Sequence, residues 1–370
     1  MKKCVFRRIY IHHFTEETTM KKQIAFSLVL VMLLGLLAGC AGTAVVYLND
    51  CTCPTQGTPP TPSDPTNPSA DGAVKTGLAI VANAGKSVNA SCAEYDVTLV
   101  AVTVDDKGVI EQCIIDSIGT KIEFDGTGSL TKVPETVATK NELGDSYGMV
   151  AWGGAKYEWY KQAAALADYA EGKSVAQLKN GAIDETGYAP DGTDLAASAT
   201  IYLGGYVSAI EVAVNNAKHL GAMAGDELRM AATPSATSSV SATADKKGVA
   251  QLDVDVTALT VKDGKITSCY IDSLQAKVEF DTTGTISSDI TSFKTKNELG
   301  ESYGMMAWGG AKYEWNVQAS NFAAYVTGKT ASEVAGIAIN EGTKPTDVDL
   351  SAGVTIAIGG FQALIAKAMK

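Results

Sequence analysis

The sequence predicts an α+β fold: two tandem copies of a small antiparallel-sheet-plus-helices domain, behind an apolar N-terminal segment and a Pro-rich stretch. Three observations predict it. A 21-residue segment, Thr139–Trp159, recurs at Thr295–Trp315 with only two mild differences, Asp145/Glu301 and Val150/Met306. Flanking pairs keep the same period of 155–156 residues: Asp116-Ser117 with Asp272-Ser273, Phe124-Asp125 with Phe280-Asp281, and Asp194-Leu195 with Asp349-Leu350. A period that long marks duplicated domains, since solenoid units run about 20–50 residues. Within each copy, apolar residues first alternate with period two and then fall into helical stripes, so strands precede helices.

In the second copy Leu252, Val254, Val256 and Ala258 alternate with Asp253, Asp255 and Thr257, the pattern of a half-buried strand. Lys262-Asp263-Gly264-Lys265 then turns the chain into a second apolar strand over Ile266–Ile271, and Asp106-Lys107-Gly108 does the same in the first copy. A helix follows the shared segment. Its apolar face carries Trp159, Ala163, Leu166 and Ala170 in one copy, and Trp315, Ala319, Phe322 and Val326 in the other, with Gly172 and Gly328 as stops. Each copy is expected to end in a short strand (Ala199–Leu203, Val354–Ile358), a Gly-Gly pair and a closing amphipathic helix. The copies divide near Gly221–Gly225, giving domains at 73–221 and 222–370.

The N-terminus reads as an export signal. Met20 opens it, Lys21 and Lys22 supply positive charge, and Ile24–Leu37 form an apolar run that is short for a membrane span. The expected true start is Met20, so residues 1–39 form the signal region and His12 and His13 carry no functional weight. The run ends in Leu37-Ala38-Gly39-Cys40, which resembles the lipobox of bacterial lipoproteins. That resemblance implies lipidation of Cys40 and anchoring to the outer face of the cell membrane. One acyl chain holds a membrane only marginally, and the two or three of a mature lipoprotein suffice. Residues 40–72 follow as a linker, in which Pro54, Pro59, Pro60, Pro62, Pro65 and Pro68 make an extended, semi-rigid spacer.

Charge excludes some functions. Taking the six basic and two acidic residues of positions 1–39 from the 30 and 41 of the whole chain leaves a net −15 from Cys40 onward. Nucleic acid is not an expected partner of such a surface. The only His after Cys40 is His219, so Ser–His or Cys–His catalysis cannot occur in both copies. Ala84-Gly85-Lys86-Ser87 mimics the end of a phosphate loop but lacks the earlier glycine, position 80 being Ile. No Cys spacing suggests an iron–sulfur cluster, haem or structural zinc, and Cys113 and Cys269, at matching places in apolar strands, read as buried, inert thiols.

The shared segment is the most informative stretch, because it keeps polar and Gly positions while the rest of the repeat has diverged. Lys140, Asn141, Glu142, Gly144, Gly148 and the Gly153-Gly154 pair recur in the second copy. Tyr147 and Trp152, with Tyr303 and Trp308, offer flat apolar surfaces for stacking on an aromatic ligand.

Two resemblances point to the same ligand. Asp194-Leu-Ala-Ala-Ser198-Ala199-Thr200 and Asp349-Leu-Ser-Ala-Gly353-Val354-Thr355 resemble the Asp-x-x-Ser-Gly-Ala-Thr motif of small extracytoplasmic FMN-binding domains. In these domains an FMN transferase esterifies the Thr with the flavin phosphate. The Asp-to-Thr spacing is kept, although neither copy has the full Ser-Gly-Ala-Thr core. The whole arrangement of lipobox, Pro/Thr linker and two repeats with Thr-Lys-x-Glu-Leu-Gly-x-x-Tyr-Gly-Met is similar to the pheromone-precursor lipoproteins of Gram-positive bacteria, flavinylated carriers in extracellular electron transfer. The resemblance implies a covalent FMN electron carrier, with one or two flavins per chain. It also implies electron supply from a membrane NADH dehydrogenase or quinone-linked donor and no stand-alone enzymatic activity. Thr200 and Thr355 are the implied acceptors, and Asp194 and Asp349 the implied loading residues. Thr139, Thr295 and Thr120 remain further acceptor candidates, Thr120 being Ala276 in the second copy. The alternative is a non-redox ligand-binding or structural surface lipoprotein.

Overall fold

A computed structural model describes residues 72–370. The export segment, Cys40 and the spacer up to Asp71 lie outside the described residues. Among the described residues, no helix is long and apolar enough to cross a membrane.

The fold is mixed α/β, with two antiparallel sheets of four and three strands. The first is a meander of β1 (Lys75–Asn83), β2 (Cys92–Val104), β3 (Ile110–Phe124) and the short β4 (Leu130–Lys132). Helices α1 (Lys140–Leu143), α2 (Trp159–Ala170), α3 (Val175–Ala182), α4 (Asp194–Ser198) and α5 (Gly204–Asn215) follow. The second sheet is β5 (Glu227–Ser235), β6 (Gly248–Lys262) and β7 (Lys265–Phe280). After it come α6 (Lys296–Leu299), α7 (Trp315–Val326), α8 (Ala331–Ala335), α9 (Val348–Gly353) and α10 (Gly359–Ala368).

Strand alternation explains the layering. Along β2, Val97, Leu99 and Ala101 enter one core, and Val100, Val102 and Val104 enter another. The first of these cores is shared, since Leu252, Val254, Val256 and Ala258 of β6 and Leu274, Ala276 and Val278 of β7 fill it from the other sheet. The opposite face of each sheet is covered by its own helices, α2–α5 on the first and α7, α8 and α10 on the second. The order is therefore helices, sheet, sheet, helices. The two copies sit in one compact unit, joined by their sheets. This burial on both faces is why Thr257, expected on a solvent face, is 0% exposed: its hydroxyl donates to the Tyr270 carbonyl at 3.1 Å.

Several local expectations hold. Asp263 and Gly264 both have positive φ, 50° and 74°, the geometry of a tight two-residue hairpin turn. The predicted faces of α2 and α7 are buried. Gly172 and Gly328 turn the chain out of these helices with φ of 75° and 85°, and their N–H groups donate to Ile110 and Ile266 carbonyls. Cys113 and Cys269 are buried, and desolvation raises both thiols, Cys269 to about 12, which makes them inert. Lys86 pairs with Asp96 at 2.7 Å on a β1–β2 loop that leads into a strand, where a phosphate loop leads into a helix.

A further expectation fails. Ala199–Leu203 and Val354–Ile358 form no strands. Their backbone donors are captured by a buried side chain instead of a sheet edge, and that capture defines the site below.

Candidate functional site

Thr139 and Thr295 begin the shared segment as helix N-caps. The Thr139 hydroxyl accepts the Glu142 N–H at 3.3 Å, and the Glu142 carboxylate accepts the Thr139 N–H at 3.0 Å. The second copy repeats this at 3.2 and 2.8 Å. Such a box satisfies two of the four orphan donors of a helix start. It is seated over a buried carboxylate. Asp116 accepts N–H groups from Ser117 and Asn141 at 2.7 and 3.0 Å, while Asn141 Nδ2 donates to the Ile115 carbonyl. Asp272, Ser273, Asn297 and Ile271 do the same. Both Thr residues are only 2% exposed, and their hydroxyls are committed to the fold.

Burial raises the Asp272 carboxyl from 3.8 to about 6, opposed in part by hydrogen bonds from Thr295, Asn297 and Ser273. Asp116 is raised for the same reason. A folded-state value above the unfolded one means that the folded protein holds the proton more tightly. The contribution is present below the unfolded value and is lost as pH rises through about 6. Asp272→Asn keeps an acceptor for both N–H groups and removes the titration. Its stability should therefore lose a slope of at most about 1.4 kcal/mol per pH unit between pH 4 and 6. Denaturant midpoints across that range check this; an unchanged slope contradicts it.

Past the cap, Lys140 Nζ lies 5.1 Å from the Tyr147 ring centroid and 5.0 Å from that of Trp159; Lys296 lies 5.1 and 4.9 Å from Tyr303 and Trp315. Each ammonium contacts two aromatic faces. Trp159 Nε1 donates to the Tyr206 hydroxyl at 3.0 Å. The following loop is pinned by a buried carboxylate: Glu158 accepts the N–H groups of Met149 and Val150 at 2.9 and 3.0 Å, and Glu314 those of Met305 and Met306 at the same distances. Gly148 and Gly304 adopt φ of 81°, and a Cβ on either would overlap the ring of Trp152 or Trp308. Each tryptophan therefore lies with part of its ring on a glycine, yet remains 84% or 87% exposed. Two largely exposed tryptophans thus stand at equivalent places in the two copies.

The helix after this loop carries Gln162, a polar residue on the apolar face and 0% exposed. Its Oε1 accepts the Thr200 N–H at 2.8 Å, the Ile201 N–H at 3.2 Å and the Thr200 hydroxyl at 3.2 Å; its Nε2 donates to the Tyr157 carbonyl at 2.8 Å. Gln318 does the same for Thr355, Ile356 and Tyr313, at 2.8, 3.1, 3.1 and 2.7 Å. The amide thus ties the end of the Trp-bearing loop to the Thr segment. Lys156 of that loop donates to the Ala197 carbonyl at 3.2 Å, and Lys312 to that of Ala352 at 3.3 Å. Neither lysine forms an ion pair among the described residues. Thr200 and Thr355 are exposed.

The structure therefore brings Thr200 and Thr355 to the loops that carry Trp152 and Trp308. It keeps Thr139 and Thr295 apart as buried caps, with Tyr147 and Tyr303 partly buried beneath lysines. Asp194 and Asp349 are exposed in the first turns of α4 and α9, whose N-caps are Thr193 and Asp347. Thr120 is partly buried on β3. Sequence reasoning missed Gln162 and Gln318, which lie three residues past the shared segment. Their signal was available: the same amide recurs on the apolar stripe of both helices. Among the described residues no group of three or more His, Cys, Asp or Glu is placed to hold a metal ion. No protein-family model, curated protein or solved structure matches the chain.

Proposed function

We propose that the protein is a membrane-anchored extracytoplasmic electron carrier, with FMN attached by a phosphoester to Thr200, Thr355 or both. The observation that carries this reading is the repeated cradle in which a buried glutamine holds both the backbone and the hydroxyl of an exposed Thr. A hydroxyl that receives a phosphoryl group must reach a transferase while its main chain stays fixed, and Thr200 and Thr355 meet both needs. Thr139 and Thr295, buried as caps, meet only the second.

The residues present fit the group. Lys156 and Lys312, which form no ion pair among the described residues, supply cations beside the segment that ends in each Thr, suited to a phosphodiester anion. Trp152 and Trp308 supply exposed aromatic faces for a planar ring. When bound, the isoalloxazine supplies one- and two-electron transfer without a metal, and the protein contributes position and electrostatics. Lipid on Cys40 and the Pro-rich spacer would hold the carrier within reach of a membrane NADH dehydrogenase or quinone-linked donor, and an FMN transferase would load it.

Thr200→Val and Thr355→Val test the assignment. Each keeps the two N–H bonds to Gln162 or Gln318 and removes the hydroxyl with its one bond to that amide. Co-expressed with a transferase, each variant should lose the FMN mass carried by its own Thr, and the double variant should be colourless. Adducts that persist in the double variant would move the attachment elsewhere. The exposed tryptophans also favour a second reading, a non-redox lipoprotein that binds an aromatic or sugar ligand. Colourless native protein that gains thermal stability from such a ligand would support it.

A further inference from the structure

We infer that the two sites are not equivalent: the first carries an aromatic platform of Tyr202 and Tyr188 beside Thr200, and the second lacks that pair, with Ala357 and Lys344 in their places. This rests on the functional reading above and concerns what a ring attached at each Thr would meet.

Tyr202 stands two residues beyond Thr200. The Leu203 and Gly204 N–H groups both donate to the Gly187 carbonyl, at 2.9 and 3.0 Å, which ties this stretch to the turn Asp184–Tyr188. Gly187 has φ of 81°, and a Cβ there would overlap the Tyr202 ring; one on Gly204 would come within 2.6 Å of the Tyr202 hydroxyl oxygen. The ring is thus seated between two glycines. Tyr188 meets it edge-on, with centroids 5.6 Å apart and planes at 79°. Both rings stay open to solvent, at 53% and 45% exposure. A held, half-exposed T-shaped pair offers a face and an edge to a further planar ring.

In the second copy the same backbone tie is made by the Ile358 N–H to the Thr343 carbonyl at 2.8 Å, so Thr343 stands where Gly187 does. Thr343 holds a left-handed φ of 57°, strained for a β-branched residue. A Cβ on Gly359, the counterpart of Gly204, would come within 3.2 Å of the Thr343 Cβ, so a threonine side chain fills the space the tyrosine takes. Ala357 replaces Tyr202 and Lys344 replaces Tyr188. A methyl and a cation stand in for two rings. Trp152 and Trp308, by contrast, are common to both sites.

Flavin fluorescence reads this difference, because contact with an electron-rich aromatic ring quenches it. The full chain is produced with an FMN transferase as Thr355→Val, leaving flavin on Thr200, and as Thr200→Val, leaving it on Thr355. Per bound flavin, the Thr200 site should be severalfold dimmer. Tyr202→Ala combined with Tyr188→Ala should brighten it, while the same changes leave the Thr355 site unaltered. Tyr202→Phe combined with Tyr188→Phe, which keeps both rings packed but removes the oxidisable phenols, should brighten the Thr200 site as the alanines do and guards against an effect of misfolding. Loaded sites of equal brightness, or a first site indifferent to the tyrosines, overturn this inference alone. A chain with no flavin on either Thr overturns the functional reading and this inference with it.

Discussion

Phe124→Ala is expected to destabilise the protein by about 3–5 kcal/mol and to shift the unfolding of both copies together. Phe124 and Phe280 are equivalent residues that stack on each other with centroids 4.0 Å apart and planes within 2°. They are 1% and 0% exposed, so truncation leaves a cavity between the sheets. The neighbouring backbone cannot close it. Ala242 and Ala90 donate across the interface to the Gly128 and Gly284 carbonyls at 2.7 and 2.8 Å. A Cβ on either glycine would come within 2.6 Å of the opposite copy's Asp281 or Asp125 carbonyl oxygen. The Tyr95 hydroxyl also donates across the seam to the Ala250 carbonyl at 2.6 Å. Because one core serves both sheets, circular dichroism and tryptophan fluorescence should report coincident denaturant midpoints before and after the substitution. Two separated transitions, with only one displaced, would show that the copies are stable independently.

Gln162→Leu should cost about 2–4 kcal/mol. Leucine fills the volume but leaves the Thr200 N–H, the Ile201 N–H and the Tyr157 carbonyl without their partner. Each unpaired buried group costs about 1–3 kcal/mol, and the exposed side of the Thr200 segment recovers part of this from water. Amide hydrogen exchange at Thr200 and Ile201 should quicken, while Thr355 and Ile356 keep their protection on Gln318. Flavin loading should fall at Thr200 and persist at Thr355. Unchanged protection at Thr200 would mean that the amide does not hold the segment.

Much of this fold is legible in the sequence where one periodicity acts alone. The Leu252–Ala258 alternation, the Asp263-Gly264 turn and the Trp159 and Trp315 stripes each state a local geometry. What local pattern cannot carry is the partner of the second face. Thr257 continues a polar alternation, yet it is buried because helices cover the side that the pattern assigns to solvent. Ala199–Leu203 has the composition of a strand, but its N–H groups are taken by a side chain some 38 residues earlier, and no short-range pattern records that. The shared segment stands out in the sequence for its polar residues, and most of them are internal fasteners: Glu142 in a cap, Asn141 on Ile115 and Lys140 between rings. Those left facing outward, Trp152 and Lys156 with their counterparts Trp308 and Lys312, are the ones that a ligand would meet.

The central claim is that FMN is joined to an exposed Thr held by a buried glutamine. Peptide mapping by mass spectrometry of the native, membrane-extracted protein tests it most directly. The account predicts an FMN phosphoester on the peptide containing Thr200, the peptide containing Thr355, or both, with Thr139 and Thr295 unmodified. Native protein in which the Thr200 and Thr355 peptides both carry their unmodified mass would contradict it.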